Sequence, residues 1–257
     1  MSGERSIFIT GAAAGIGAAT ARLFAGRGWR VGASDVDGAK LAALQAEFGA
    51  GRVFTQIADV RDFTSVDAAI RAFTAGGGGR LDALFANAGI AYLGPHEQLT
   101  REQKDRIIDV NARGVVNTID AAFPFLRATP GAHVVAMAST SAEYGSPQHA
   151  VYSATKFFVR GLTEALNVEY RAHDIQVSAI YVAYVRTALV LDANVKPASI
   201  DRLGIKVTPE QVAGKVWQAV HGDRVHWRVG FDARLLNVLT RLLGSGMAPI
   251  VGRLMRS

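Results

Sequence analysis

The sequence predicts an α/β fold in which a doubly wound parallel sheet is covered by helices on both faces. Segments typical of strands alternate with segments typical of helices along the 257 residues, and this order builds a parallel sheet through crossover helices. The strand segments are continuous apolar runs, which indicates that both faces of the sheet are buried. No linker, internal repeat or low-complexity segment interrupts the order, so we expect a single domain over residues 1–257.

In the first half of the chain, each apolar run is followed by apolar residues at helical spacing. The third predicted helix stops at four consecutive glycines. In order, the elements expected here are a strand at Arg5–Thr10, a helix in which Ile16, Ala19, Leu23 and Phe24 share a face, a strand at Trp29–Asp35, a helix through Leu41, Leu44 and Phe48, a strand at Arg52–Asp59, a helix at Phe63–Phe73 and a strand at Leu81–Gly89.

The second half continues the alternation. Thr208, Pro209 and Gln211 stand at the N-cap, first and third positions of a helix, as a capping box requires. The expected elements are a long helix at Arg101–Arg127 whose end Pro124 and Pro130 loosen, a buried strand at Ala132–Ser139, a helix at about Tyr152–His173, a strand at Asp174–Val182, the helix that Thr208 caps and an edge strand at Val225–Gly230.

An apolar and basic helical extension is predicted at about residues 231–257. Its leucines Leu235, Leu236, Leu239, Leu242 and Leu243 form a stripe. Three roles remain open for it: a lid over an apolar substrate, a subunit contact, or a helix on a membrane surface. We favour the lid or the subunit contact over the membrane.

Composition excludes several classes of function. The chain has no cysteine, so disulfides, thiolate nucleophiles and cysteine-based metal sites are excluded, and we expect no metal. The formal net charge is +6, but six arginines and one aspartate between Arg224 and Ser257 carry most of the excess. We therefore expect no nucleic-acid partner. Because the first strand begins by Ser6, there is no room for a signal peptide, and we expect a soluble cytoplasmic protein.

Three glycines, Gly11, Gly15 and Gly17, form a G-x-x-x-G-x-G pattern with Ala14 and Ile16 between them. Three glycines at any fixed spacing are expected about 0.3 times by chance in a chain of this composition. Their placement after the first strand and at the start of the first helix is more specific, because backbone N–H groups there can bind a pyrophosphate. This placement predicts a Rossmann-type dinucleotide site, although close helix–strand packing would also use glycines.

Asp35 ends the second predicted strand. A carboxylate at this place can accept hydrogen bonds from both hydroxyls of an adenosine ribose, and it repels a 2′-phosphate. Neither Ala14 nor Val36 supplies a cation for such a phosphate. The sequence therefore favours NAD over NADP, and the alternative is that Asp35 is only a turn residue.

Tyr152 and Lys156 open a predicted helix four residues apart, so they share a face. A chance Tyr-x-x-x-Lys pair is expected about 0.14 times in this chain. A free phenol has a pKa of about 10, and a neighbouring ammonium together with the positive ring of an oxidised nicotinamide would lower that pKa. The pair is therefore a candidate proton-transfer site.

The ordered motifs resemble the short-chain dehydrogenase/reductase family in its compact single-domain branch. The similarity runs from Ser6 to about Trp227. It is carried by "TGAAAGIG" at Thr10–Gly17, Asp59 in "ADV", "NAG" at Asn87–Gly89, Asn111 in "DVNARG", and Ser139 thirteen residues before Tyr152. The chain departs from the family at Ala86, where a second Asn is commoner, at Val182–Ala183 in place of Pro-Gly, and in its tail.

The resemblance implies a catalytic tetrad of Asn111, Ser139, Tyr152 and Lys156. Tyr152 would exchange the proton of an alcohol during hydride transfer, and Ser139 would hold the substrate oxygen. Lys156 would also bind the nicotinamide ribose, and Asn111 would hold a water that links the lysine to solvent.

The resemblance also implies cofactor contacts along the sheet. These are the glycine loop, Asp35, Asp59 with Val60, Asn87, Ala88, Gly89, and Val185 with Thr187 after the sixth strand. The loop after Thr187 would cover the substrate.

We expect the reaction to interconvert a bulky, partly apolar secondary alcohol and its ketone. Candidate substrate contacts are Ser139, Ser141, Tyr144, His149 and Tyr184. The family's paired helices, here those around Asn111 and Tyr152, imply a homodimer or homotetramer. The alternative function is a catalytically idle dinucleotide sensor on the same fold.

Overall fold

The computed structural model describes residues 4–187, 204–205, 207–247 and 249. Within them, seven strands form one fully parallel sheet in the order β3-β2-β1-β4-β5-β6-β7. This sheet confirms the predicted fold class. The strands are β1 Ser6–Thr10, β2 Arg30–Asp35, β3 Val53–Ile57, β4 Ala83–Ala86, β5 Ala132–Met137, β6 Ile175–Tyr181 and β7 His226–Arg228.

Most predicted helices lie within a few residues of their expected positions, and the capping box at Thr208 and Gln211 is formed. The α-helices are α1 Gly15–Gly26, α2 Gly38–Phe48, α3 Phe63–Ala75, α4 Arg101–Ile108, α5 Gly114–Arg127, α6 Ala150–Glu169, α7 Pro209–Val220 and α8 Phe231–Leu243. Short 3₁₀ turns lie at His96–Gln98, Thr140–Ala142, Tyr170–His173 and Gly244–Gly246.

Both faces of the sheet are buried, because successive side chains of a strand point to opposite faces. Phe8 of β1 belongs to one buried cluster, together with Phe73 of α3. Its neighbour Ile7 belongs to the other cluster, with Phe24 of α1 and Val216 of α7. The strand order reverses between β1 and β4, which is the topological switch point where this class of sheet binds its ligands.

The prediction of one regular helix over residues 101–127 is wrong in one respect. The structure divides it into α4 and α5, which are separated by a π-helical turn at Asp109–Arg113. The inner residue of this turn, Asn111, is fully buried and uses both atoms of its side-chain amide to bind the backbone of Ile90. A wide turn of this kind inserts an extra residue into the helix, often at functional sites.

One other predicted segment differs from the structure. The strand predicted at 81–89 is ordered as a strand only from Ala83 to Ala86, because the backbone N–H groups of Asn87 and Ala88 donate to the side chain of Thr10 and not to a neighbouring strand. The predicted loop that follows Thr187 lies outside the described residues, apart from residues 204, 205 and 207.

The C-terminal extension begins with the expected helix, α8. The leucines of the predicted stripe differ in exposure. Leu236 and Leu239 are half-buried, whereas Leu235, Leu242 and Leu243 are exposed, together with Phe231 and Val238. Among the helices of the described ranges, none combines the length and the apolar character needed to cross a bilayer.

Candidate active site

The three glycines of the loop after β1 have different structural roles. Gly11 and Gly15 take positive φ angles of 67° and 53°, a region that favours glycine. Gly17 is required by packing, since a Cβ built on it would lie 2.0 Å from the carbonyl oxygen of Gly11. The loop therefore bends tightly and brings the N-terminus of α1 against β1, which leaves backbone N–H groups available for an anion.

Hydrogen bonds fasten this loop to the end of β4. The hydroxyl oxygen of Thr10 accepts from the backbone N–H groups of Asn87 and Ala88, at 3.2 Å each. In return, the side-chain amide of Asn87 donates to the carbonyl oxygens of Thr10 and Gly11, at 3.0 and 3.1 Å. Asn87 and Ala88, which the sequence assigns to cofactor binding, thus hold the two central strand ends together.

Asp35 faces the same loop from the end of β2. Its carboxylate accepts from the backbone N–H of Ala13 at 3.0 Å and from that of Asp37 at 3.2 Å. The neighbouring side chain of Val36 is 65% exposed. Because each carboxylate oxygen can accept more than one hydrogen bond, Asp35 can orient the loop and still accept the hydroxyls of a ribose.

Asp59 and Val60 follow β3. The carboxylate of Asp59 binds the guanidinium of Arg61 at 2.6 Å, and the hydrogen bond from Arg61 lowers the pKa of Asp59. Val60 is buried against α5, where a Cβ on Gly114 would come within 2.6 Å of its side chain. Arg61 is a charged neighbour that the sequence analysis did not assign to the site, although it stands two residues after Asp59.

Ser139 and Tyr152 lie close together across β5 and α6. Ser139 follows β5 in an extended conformation, and its side chain accepts from the backbone N–H of Ser141 at 3.1 Å. Burial raises the pKa of Tyr152 to about 12, against the lowering effect of its hydrogen bond with Ser139. The phenol of the protein by itself is therefore protonated at neutral pH.

Lys156 is buried and carries a perturbed charge. Its ammonium donates to the carbonyl oxygen of Met137 at 2.7 Å and lies 5.5 Å from the ring centroid of Tyr152. Burial lowers the pKa of Lys156 to about 8. Without a cofactor the pKa of Tyr152 is raised, and the expected lowering, which also needs the positive ring of an oxidised nicotinamide, stays a prediction. Desolvation dominates at the phenol, and the ammonium is engaged with the backbone of β5.

Asn111 joins the tetrad through the loop after β4. Its side-chain amide donates to the carbonyl oxygen of Ile90 at 2.9 Å and to the hydroxyl of Thr155 at 3.3 Å. A Cβ on Gly89 would lie 3.3 Å from the Asn111 side chain and 3.7 Å from the Lys156 ammonium. Gly89 therefore lies next to both side chains, and its lack of a Cβ leaves room for them. Thr155, which the sequence analysis missed, is recognisable only by its place on α6 beside Lys156.

Two of the candidate substrate residues, His149 and Tyr184, lie near Tyr152. His149 is buried, its ring centroid is 6.3 Å from that of Tyr152 and 6.4 Å from that of Tyr184, and its Nδ1 is 3.0 Å from the carbonyl oxygen of Pro147. Burial lowers the pKa of His149, so the ring is neutral near pH 7. Ser141 is buried in the turn after Ser139, and Tyr144, in the loop beyond this turn, is half-buried.

The segment after β6 brings the two ends of the site together. The backbone N–H of Thr140, in the turn that Ser139 caps, donates to the carbonyl oxygen of Val182 at 3.0 Å. Val185 pairs with Val207, and a Cβ on Gly15 would lie 3.0 Å from the side chain of Thr187. Thr187 therefore lies over the glycine loop, as expected for a residue near a bound dinucleotide.

The assembled site suits a dinucleotide and a substrate that exchanges a proton. It offers backbone N–H groups at a helix N-terminus for phosphates, a carboxylate at the end of β2 for a ribose, and a phenol beside a buried ammonium for proton transfer. Among the described residues, no group of three or more histidine, aspartate or glutamate side chains could hold a metal ion.

The comparisons with known proteins agree with this arrangement. A family model described as short chain dehydrogenase matches residues 5–197. The oxidoreductase UcpA of Salmonella typhimurium is 35% identical over 219 residues, which cover 84% of this chain and 80% of that protein. The D-threitol dehydrogenase of Mycolicibacterium smegmatis is 36% identical over 183 residues, 70% of each chain.

A solved structure is similar over most of the chain. The 3-ketoacyl-(acyl-carrier-protein) reductase from Brucella melitensis, complexed with NADH, has a TM-score of 0.79 at 30% identity. The similarity covers 88% of this chain and 96% of that one.

We expect Gly17→Ala to reduce both stability and affinity for a dinucleotide, measured by urea unfolding and by titration with NAD. The added methyl group would lie 2.0 Å from the carbonyl oxygen of Gly11, so the loop or α1 must shift. Overpacking of this kind costs about 1–3 kcal/mol of unfolding free energy. The matched control is Gly26→Ala on the same helix, where nothing lies within 4 Å. Equal effects of the two substitutions would contradict the packing role of Gly17.

Proposed function

The chain belongs to the short-chain dehydrogenase/reductase family of oxidoreductases, and on that premise we propose that it interconverts a secondary alcohol and a ketone with NAD as cofactor. The observation that carries the proposal is the placement of Tyr152 between Ser139 at the end of β5 and the buried Lys156 on α6. A catalytically idle sensor would have little use for this arrangement, so the sensor is not favoured.

Ser139 and Tyr152 would act on the oxygen of the substrate. When bound, the nicotinamide supplies the site that accepts or donates hydride, and its oxidised ring adds a positive charge. The Ser139 hydroxyl would hold the substrate oxygen, and Tyr152 would move the proton. With a pKa of about 12, the phenol is in the protonated form that ketone reduction needs. Alcohol oxidation requires that its pKa falls, which a nearby positive charge favours.

Lys156 is the group that can change the charge near Tyr152. Its pKa of about 8 leaves it mostly charged at pH 7, so it can stabilise a phenolate. To do so, the ammonium would exchange the carbonyl oxygen of Met137 for the ribose and the phenol. Asn111, fixed to Ile90 by two hydrogen bonds, would hold a water between the lysine and solvent.

The substrate class follows from the side chains around Tyr152. His149 and Tyr184 contribute two rings, and Ser139 contributes a hydroxyl. Rings and hydroxyls together suit an alcohol with a bulky, partly apolar body and a polar reacting end. The relative named D-threitol dehydrogenase supports an alcohol as the reduced substrate.

We expect Tyr152→Phe to lower kcat by about 10²–10⁴, the usual contribution of a general acid or base, while the Kd for NAD stays within a few-fold. Only the phenolic hydroxyl is removed. The measurement is NADH absorbance over a panel of secondary alcohols and ketones. Tyr170→Phe, just beyond the other end of α6, is the matched control and should keep full activity. Near-normal turnover in Tyr152→Phe would exclude it as the proton-transfer group.

Asp35 should make the enzyme prefer NAD to NADP. A 2′-phosphate about 4 Å from the carboxylate is opposed by about 4 kcal/mol at an effective dielectric constant near 20. Screening at a partly exposed site leaves about half of that, still more than tenfold in kcat/KM. We therefore expect Asp35→Ser to lower the ratio of kcat/KM for NAD to kcat/KM for NADP, both measured on one substrate.

Asp35→Asn separates charge from geometry, because its side-chain oxygen can still accept from Ala13. It should lower the ratio as well. A wild-type preference for NADP, or a ratio unchanged in both variants, would leave Asp35 as a turn residue only.

The helices that carry the tetrad also support assembly as a homodimer or homotetramer. Large apolar side chains lie exposed on α4 and α6, with Ile108, Phe157 and Phe158 each 42–46% exposed. Light scattering at micromolar concentration should show a dimer or larger species, and Phe157→Asp should dissociate it. Phe63→Asp, on α3, where the side chain is also exposed, is the control for a different surface. A monomeric wild type would refute the proposal.

A further inference from the structure

Glu143 is a buried acid outside the tetrad, four residues after Ser139. The side chain of Glu143 is 2% exposed, and its two oxygens bind two arginines. Oε2 accepts from Arg160 at 2.9 Å, and Oε1 accepts from Arg228 at 2.7 and 2.9 Å. Desolvating a carboxylate is costly unless its partners are well placed, so this geometry has to be maintained by the fold.

Glu143 ends the turn that begins with Ser139. The backbone N–H of Glu143 donates to Thr140, and that of Ala142 donates to Ser139, each at 2.9 Å. Arg160 reaches the same turn, since its guanidinium also donates to the carbonyl oxygen of Ala142 at 3.2 Å. The carboxylate and the backbone of the turn are thus held by one side chain of α6.

Arg160 lies one helical turn after Lys156 on α6. Lys156 holds the carbonyl oxygen of Met137, two residues before Ser139, and Arg160 holds Ala142 and Glu143, three and four residues after it. Two side chains of α6 therefore bind the main chain on either side of the serine. Because Tyr152 is on the same helix, these contacts set the position of the serine hydroxyl relative to the phenol.

Arg228 extends the connection to the C-terminal part of the chain. It stands on the edge strand β7, and its guanidinium donates to Asn237 of α8 at 2.7 Å as well as to Glu143. The turn that carries Ser139 is therefore joined through one carboxylate to α6, β7 and α8.

We propose that Glu143 is a positioning residue, whose carboxylate fixes the Ser139 hydroxyl against Tyr152 and makes that position depend on β7 and α8. The inference rests on the proposed function, in which Ser139 holds the substrate oxygen. Without the carboxylate, two arginine cations face each other across the turn, and the turn separates from the edge strand. Catalysis then suffers through geometry, whereas the dinucleotide contacts of α1 and β2 are untouched.

The chain offers a matched control in Glu164. Glu164 also binds Arg160, at 2.9 Å, but its side chain is 44% exposed. It lies farther along α6, and its other described partner is His226. Glu164→Gln thus removes the same charge from the same arginine without touching the serine turn.

The kinetic test compares Glu143→Gln with Glu164→Gln. We expect Glu143→Gln to lower kcat about tenfold or more with the KM for NAD within about twofold, and Glu164→Gln to leave both within about twofold. Glu143→Gln should lower kcat less than twofold further in a Ser139→Ala background, because coupled residues are not additive. A kcat of Glu143→Gln within twofold of wild type, or a full multiplicative loss in the double variant, would overturn the proposal.

Hydrogen exchange gives a readout that does not depend on activity. The N–H groups of Ser141, Ala142 and Glu143 are bonded within the turn and should exchange faster in Glu143→Gln but not in Glu164→Gln. Unchanged exchange would overturn the positioning role, even if no substrate were found.

Arg228→Gln is the second variant, for the case in which Glu143→Gln does not fold. It keeps the bond from Arg160 to the Glu143 carboxylate and removes only the bonds that link this carboxylate to β7 and α8. Faster exchange at the same three amides is expected there too. Protection equal to that of wild type would exclude the link to the C-terminal part of the chain.

Discussion

The site depends on the hydrogen bonds that join the ends of β1 and β4. At this point the strand order reverses, so the loops after the two strands separate and leave a crevice. Four hydrogen bonds cross it: the Thr10 hydroxyl accepts from the backbone N–H groups of Asn87 and Ala88, and the Asn87 side-chain amide donates to the carbonyl oxygens of Thr10 and Gly11. They fix the glycine loop on one side and the segment leading to Gly89 on the other. The same hydrogen bonds therefore hold the glycine loop and the segment leading to Gly89.

Burial determines the pKa values of Tyr152 and Lys156, the pair that we propose to be catalytic. The same low-dielectric surroundings raise the pKa of Tyr152 to about 12 and lower that of Lys156 to about 8, because desolvation disfavours the charged form of each group. An ordinary phenol and an ordinary ammonium have similar pKa values of about 10. Here the pKa of the lysine is the one nearer to neutral pH. A positive charge brought beside the phenol would have its full effect here, since little water is present to screen it.

Sequence patterns predicted the fold well, because the five strands between the edge strands β3 and β7 are almost entirely buried and are mostly apolar. The family resemblance named Asn111, Ser139, Tyr152 and Lys156 as a tetrad, which stays a prediction, and the structure brings Ser139 and Lys156 beside Tyr152. Sequence patterns did not predict the π turn around Asn111, because one extra residue barely changes helical spacing. Nor could they separate the packing role of Gly17 from the conformational role of Gly15. The contacts of Glu143 with Arg160 and Arg228 join residues 17 and 85 positions apart, beyond any local pattern.

The segment after β6 shows how a departure from the family pattern is accommodated. The family's usual glycine is replaced by Ala183, and among the described non-glycine residues only Gln148 and Asp174 have positive φ angles. An alanine therefore fits without strain. The carbonyl oxygen of Val182 is bound by Thr140 in the serine turn, while Thr187 lies over Gly15. A movement of this segment would consequently displace the serine turn and the cover of the glycine loop together. The turn after Ser139 and the glycine loop thus contact the two ends of one segment, Val182–Thr187.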